Sequence, residues 1–287
     1  MAGVQLALSP RQDEGIRKRL VWQYKILLAG VAAVCSILLH LLIPQPGLTQ
    51  SVVLPSASQA MQAQKSSLVA QRFQGKIISQ VKLSSSKKAI ALTFDDGPHP
   101  TTTPQVLSIL KENHIKGTFF LIGQNLKNFP KIGQQIVADG HGLGNHTWHH
   151  WGGQMMDFLA AQEIEDTAAL IYKITGVKSP LFRPPHGYLF NGLADYARKR
   201  KDVVVLWTVD SGDWQRQNIS VDGIVKQVVD SATPGGIVLM HDGGGDCSKT
   251  VQALPKIINE LKERGYTFVS VPELLQMQDQ QLNIAHL

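Results

Sequence analysis

From Lys88 onward the chain alternates between two hydrophobic patterns. Short apolar runs appear at "AIALTF", "GTFFLIG", "HGLGNHT", "LFRPP", "VVVLWTV", "GIVLM" and "YTFVSV", with the length and composition of buried strands. Between them lie "PQVLSILKENHI", "FPKIGQQIVADG", "DFLAAQEIEDTAALIYKITG", "VDGIVKQVVDSA" and "VQALPKIINELKERG", whose apolar residues recur at helical spacing. Strands alternating with helices predict an α/β architecture, a parallel sheet with helices outside it. Seven strands fit a barrel better than two small domains. In a barrel, catalytic residues collect at the C-terminal ends of the strands.

The N-terminal third follows neither pattern. "ILLAGVAAVCSILLHLLI" (residues 26–43) carries no acidic, Lys or Arg side chain and is nearly long enough to span a hydrocarbon core of about 30 Å. Arg17, Lys18, Arg19 and Lys25 precede it, and the residues just after it are uncharged. The positive-inside rule then puts the N-terminus in the cytoplasm and the rest outside. The competing readings are a buried core helix and a secretory signal cleaved near "SASQA", although that site lies well beyond the apolar run. Residues 44–87 are rich in Gln, Ser and Ala and read as a tether with a helical stretch near Met61 to Phe73. The expected organisation is a basic cytoplasmic N-terminus (1–25), a single-pass membrane anchor (26–43), an extracytoplasmic linker (44–87), a catalytic domain (88–275) and a C-terminal tail (276–287).

Charge and cysteine content narrow the classes. The formal net charge of +6 over 287 residues comes from the first 87, leaving 18 basic against 20 acidic residues from Lys88 onward. No basic stripe with interleaved aromatics is present, so nucleic acid is not the expected partner. Cys35 lies within the apolar span and Cys247 far from it, which fits neither a disulfide nor a zinc-thiolate site. Cys247 reads as an incidental small residue.

Five polar clusters follow predicted strands. The first sets Asp95 beside Asp96 before a Gly-Pro-His-Pro turn; it is either an ordinary turn or a pair with two jobs, one acid holding a metal and one moving protons. "HTWHH" places His146 and His150 four apart, able to face one ion if the segment turns helically, with His149 as an alternative to His150. "RPPHG" begins with Arg183, "DSGDW" carries Asp210 and Asp213, and "HDGGG" begins with His241. Each alone fits a structural turn or a surface residue. Five at five strand ends point to one site.

"TFDDGP", "HTWHH", "RPPHG", "DSGDW" and "LMHD" resemble the five ordered motifs of the polysaccharide deacetylase family, the NodB-homology domain of carbohydrate esterase family 4. The resemblance spans roughly residues 88–275. It implies a distorted (β/α)7 barrel and metal-dependent removal of acetyl groups from polymers. On this resemblance Asp95 is the catalytic base, while Asp96, His146 and His150 hold a divalent cation. Zn2+ suits that set, and Co2+, Ni2+ or Mn2+ are admitted by it. The backbone N–H of His186 would face the oxyanion, His241 would protonate the leaving amine, Arg183 would orient Asp95, and Asp213 would pair with His241. Trp207 and Leu239 match residues lining the acetyl pocket.

The sequence departs from the family at two places: His186 stands where Tyr is usual, adding a candidate ligand nitrogen, and "WGGQMM" lacks the usual Pro-containing continuation after His150. The function expected is deacetylation of an envelope polysaccharide, in the first place N-acetylglucosamine of peptidoglycan, by an enzyme held at the cytoplasmic membrane through residues 26–43. No obligate protein partner is evident. The alternatives are another acetylated polymer (chitooligosaccharide, exopolysaccharide or xylan), a non-catalytic glycan-binding barrel, or cleavage of another C–N bond such as a cyclic amide.

Overall fold

Nine strands and eight α-helices carry the fold of the described residues, 69–84 and 87–284 of the computed structural model. The strands are β1 (Ile77–Ile78), β2 (Ala89–Asp95), β3 (Thr118–Leu121), β4 (Gly142–Asn145), β5 (Leu181–Phe182), β6 (Val203–Val205), β7 (Val209–Asp210), β8 (Ile237–His241) and β9 (Thr267–Phe268). The helices are α1 (Thr102–Glu112), α2 (Gly123–Asn128), α3 (Pro130–Ala138), α4 (Asp157–Thr175), α5 (Leu193–Lys199), α6 (Val221–Ser231), α7 (Ser248–Glu263) and α8 (Val271–Ile284). The expected membrane span lies outside the described residues. Among those described, no helix is long and apolar enough to cross a membrane.

Strand β2 is buried along its whole length, so its sequence is a continuous apolar run instead of an alternation. Parity still divides it. Ile90, Leu92 and Phe94 pack outward with Leu110 of α1 and Leu254 of α7. Ala89 and Ala91 join Phe120, Leu181, Val203, Val205 and Ile237 in a separate inner cluster. Since side chains alternate along a strand, Asp95 shares the inner parity of Ala91, Arg183 that of Leu181, and His241 that of Ile237. Register sets Asp95 opposite both His241 and Phe120. Three of the candidate residues therefore reach the inside of the sheet at its C-terminal end.

The strands run in the order β1-β6-β5-β4-β3-β2-β8-β7, with β9 beside β2, and every pairing is parallel. This is a half-barrel that stays open between its edge strands β1 and β7, and β6, beside β1, runs on in sequence into β7. The run "VVVLWTV" thus makes two short strands, not one. Leu206 N–H turns to Ile78 O (2.8 Å) and Thr208 N–H to Ile237 O (3.1 Å), which places Trp207 at the opening.

Two expected boundaries shift. The folded part begins before Lys88: residues 77–78 pair with β6, and Phe73 and Val81 enter the inner cluster, so the last part of the expected linker is a component of the barrel. The expected tail after Leu275 is the continuation of α8, whose Val271, Leu274 and Leu275 fill the same cluster. Asp279 meets Arg72 Nε at 2.6 Å, and Gln281 Oε1 accepts from Ser84 N–H at 2.8 Å. Together these segments close the N-terminal end of the barrel with apolar side chains and leave the C-terminal end for chemistry.

Candidate active site

Two neighbours in an extended strand point to opposite faces, which would separate Asp95 from Asp96. The strand ends between them: Asp96 has φ 71°, a left-handed turn that redirects its carboxylate to the mouth of the barrel. Asn125 Nδ2 donates to Asp96 O (2.8 Å) and holds the turn. Five of the seven non-glycine residues with positive φ among those described, Asp96, Thr147, His150, His186 and Arg216, belong to this region. Strain of this kind is retained where the surroundings over-determine it, commonly at functional sites. The other two, His114 and Lys201, follow helix ends.

Residues 146–150 do not turn helically. Left-handed Thr147 and His150 fold the loop instead, bringing the His146 and His150 rings to 4.9 Å between centroids. His146 Nδ1–H donates to Arg183 O at 2.7 Å, so the free Nε2 faces Asp96 Oδ1 at 3.4 Å, and His150 Nε2 lies 3.3 Å from the same oxygen. That oxygen is buried without a hydrogen-bond partner. One atom from each residue lies within 4.8 Å of the others. An orphaned carboxylate oxygen between two imidazole nitrogens fits a divalent cation. The charges agree: burial alone would raise Asp96, but nearby His146, then His150 and His241, hold it below the carboxylate range. His146 is raised, because the charges of Asp95 and Asp96 outweigh its burial. His150 is pushed down to about 4, by burial first and then by His146.

His149 stands outside this cluster among the described residues. Its Nδ1 is bound to Glu163 Oε1 at 2.6 Å. His186 stacks edge-on against His150 at 4.8 Å between centroids but stands outside the ligand cluster among the described residues.

Asp95 sits on a different cation. Arg183, fully buried, donates from NH1 to Asp95 Oδ1 (2.7 Å) and to Thr93 Oγ1 (2.8 Å). Its Nε and NH2 donate to Val205 O (3.0 Å) and Leu206 O (3.3 Å), and its guanidinium packs on the Phe120 ring at 4.1 Å. A buried Arg satisfied at this many points is a fixed positive charge beside Asp95. Across the mouth, His241 Nδ1–H donates to Asp213 Oδ1 (2.7 Å), while Asp213 Oδ2 accepts from His241 N–H (2.8 Å) and Thr250 Oγ1 (2.8 Å). Burial opposes charge on this imidazole, but the bond and charge of Asp213, then Asp95 and Asp96, raise it to about 9. Its Nε2 is left for the cavity.

These groups enclose one pocket of about 710 Å³, lined by Asp95, Asp96, His146, His150, His186, Trp207, Leu239 and His241. Arg183 and Asp213 lie just behind it. Sequence reasoning gave no role to Tyr188, Asp210, Trp214 and Arg216, which also line it. Trp214 Nε1 donates to both oxygens of Asp210 (3.2 and 3.3 Å), and Arg216 donates to Gly244 O. The signal available was that Asp210 and Trp214 lie either side of Asp213 within "DSGDW".

The family described as polysaccharide deacetylase matches residues 82–206. A peptidoglycan-N-acetylglucosamine deacetylase of Bacillus cereus is 43% identical over 199 residues, covering 68% of this chain and 92% of that one. A chitooligosaccharide deacetylase of Azorhizobium caulinodans is 32% identical, covering 67% and 96%. Among solved structures, a peptidoglycan N-acetylglucosamine deacetylase in complex with 4-naphthalen-1-yl-N-oxidanyl-benzamide superposes with a TM-score of 0.66 at 34% identity, covering 71% of this chain and 94% of that one. With its half-barrel and its pocket, the chain belongs to the polysaccharide deacetylase family and is a deacetylase.

Proposed function

We propose that the protein is a metal-dependent hydrolase that removes the N-acetyl group of N-acetylglucosamine in peptidoglycan. The observation that carries the chemistry is the convergence on one pocket of three separately partnered carboxylates: Asp96 with two imidazoles, Asp95 with Arg183, and Asp213 with His241. Asp96, His146 and His150 would hold the cation, Zn2+ by preference for two nitrogens and one oxygen. When bound, it supplies Lewis-acid polarisation of the acetyl carbonyl and a more acidic water.

The rest falls to this chain's own residues. Asp95, held in place by Arg183, takes a proton from the attacking water as its oxygen bonds to the carbonyl carbon. The backbone N–H of His186, aimed by a left-handed turn (φ 58°), stabilises the tetrahedral oxyanion. His241, protonated through Asp213, gives its proton to the nitrogen as the C–N bond breaks, so the amine leaves neutral and acetate remains. Trp207 and Leu239 close around the acetyl methyl. A glycan-binding barrel without catalysis would not need a base, an acid and a ligand set together.

The names of the relatives and the expected anchor at residues 26–43 support peptidoglycan as the polymer, with the catalytic domain outside the cytoplasmic membrane. The test is acetate release by the zinc-loaded protein from peptidoglycan strands, chitooligosaccharides and acetylated xylan, paired with muropeptide analysis of cells carrying His241→Ala. A higher acetylated fraction of glucosamine is expected in those cells. Unchanged muropeptides, with acetyl gained on another polymer, overturn the substrate assignment and leave the chemistry standing.

A further inference from the structure

The segment that replaces the Pro-containing continuation after His150 is built around an exposed indole. Trp151 is 52% exposed, yet its ring lies face to face on the His149 imidazole, with centroids 4.3 Å apart and planes 9° from parallel. His149 is itself fixed. Its Nδ1 binds Glu163 Oε1 at 2.6 Å, and the other oxygen of that buried carboxylate accepts the backbone N–H groups of Trp148 and His149, both at 2.8 Å. On the far side, Gly152 presses against the pocket wall: a Cβ there would lie 2.6 Å from His186 Cδ2 and 3.4 Å from Tyr188 Cε2. His186 and Tyr188 line the catalytic pocket. Trp151 is thus held from beneath by an imidazole and a carboxylate, and stands one residue from the wall of the site.

An aromatic ring covered on one face and open on the other offers a flat apolar surface. A pyranose has a matching face of C–H groups, with its hydroxyls directed outward to water. Stacking the two removes apolar area from water without burying a hydroxyl unpaired. Because the indole is already immobilised, little side-chain entropy is lost on binding. A polymer whose acetyl group enters the cavity must leave along its rim, and on the His150–His186 side the rim leads to Trp151.

We infer that Trp151 is a sugar-binding platform, stacking the pyranose next to the one that is deacetylated. The inference rests on the proposed function only in that the substrate is a chain of pyranoses; which chain is immaterial to it. Zinc-loaded full-length protein is assayed on chitooligosaccharides of two to six sugars. In the wild type, kcat/KM is expected to climb with chain length. Trp151→Ala is expected to raise KM for the hexasaccharide about 3- to 10-fold, the size of one aromatic stack, and to flatten the climb, while Trp151→Phe restores most of it. In an Asp95→Asn background, calorimetry should show the same weakening of hexasaccharide binding. An equal proportional loss on disaccharide and hexasaccharide overturns the inference, because Trp151 would then act through the His150 loop. No loss at any length overturns it also. A flattened climb with no acetate released from peptidoglycan strands supports the subsite and removes the polymer assignment.

Discussion

Replacing Asp213 with Asn tests whether His241 is an acid tuned by its partner. The substitution keeps the shape of the side chain, removes its charge, and can present an amide N–H to Nδ1 where the carboxylate accepted a proton. In the native arrangement the imidazole is raised from 6.5 to about 9, which corresponds to about 3 kcal/mol in favour of the protonated ring. Burial opposes that rise, and Asp213 supplies the largest part of what overcomes it. A raised pKa means that the acid is present below about 9 and is lost as the pH climbs through it. If the variant falls back to near 6.5, the protonated fraction at pH 8 drops from about 0.9 to about 0.03, a loss of about 30-fold, whereas at pH 6 the loss is under about 1.5-fold. The assay is kcat/KM for acetate release between pH 5.5 and 9.5 at saturating Zn2+. The basic limb should move down by two units or more. A loss of the same size at every pH would refute the reasoning, since it would mean that Asp213 positions the ring without setting its protonation.

Asp95→Asn should retain one equivalent of zinc by elemental analysis and lose about 10²- to 10⁴-fold in kcat; near-normal turnover would show the roles of Asp95 and Asp96 to be exchanged. Gly244→Ala should weaken zinc binding by about 10-fold or more in a competition titration, because a Cβ there would lie 2.3 Å from Asp96 Oδ2 on a backbone with φ 71°. Arg183→Met should lower unfolding stability by about 3 to 5 kcal/mol, because it leaves the buried Asp95 charge without its partner. Denaturant titration reads this loss, and the double variant with Asp95→Asn should recover part of it.

The sequence pattern made the parallel sheet, five of the eight helices and the ends of the strands legible, because buried strands and amphipathic helices impose their periods on the residues that form them. Three helices escaped notice for local reasons. α2 and α5 are one to two turns long, and α8 opens with Val271-Pro272 directly after a run that reads as strand. The break between β6 and β7 was equally hidden, since "VVVLWTV" is apolar throughout and nothing local marks Trp207 as leaving the sheet. At the site, residue types and their positions after strands pointed to the loops that line the pocket. The choice between His149 and His150 was not legible, because His149 is drawn aside by Glu163, fourteen residues away on another element.

What the sequence could not express is why two acids can sit side by side in a buried pocket. Left alone, adjacent carboxylates raise each other's pKa and share a proton. Here the left-handed turn at Asp96 sends the two side chains to different neighbours: Asp95 to a guanidinium locked by four hydrogen bonds, Asp96 to the imidazole pair. A third carboxylate, Asp213, is spent on His241 and drives that ring the other way, toward charge at neutral pH. A base that stays ionised and an acid that stays protonated can coexist at one pH only if their environments are pushed apart. This fold fixes the base with one buried Arg and charges the acid with one buried Asp, on opposite sides of the mouth. Removing both partners, with Arg183→Met and Asp213→Asn together, should therefore lower turnover at every pH, as Asp95 loses the donor that fixes its carboxylate, and also move the basic limb down, as His241 loses its anion. A basic limb that stayed in place would show that Asp213 does not set the charge of the acid.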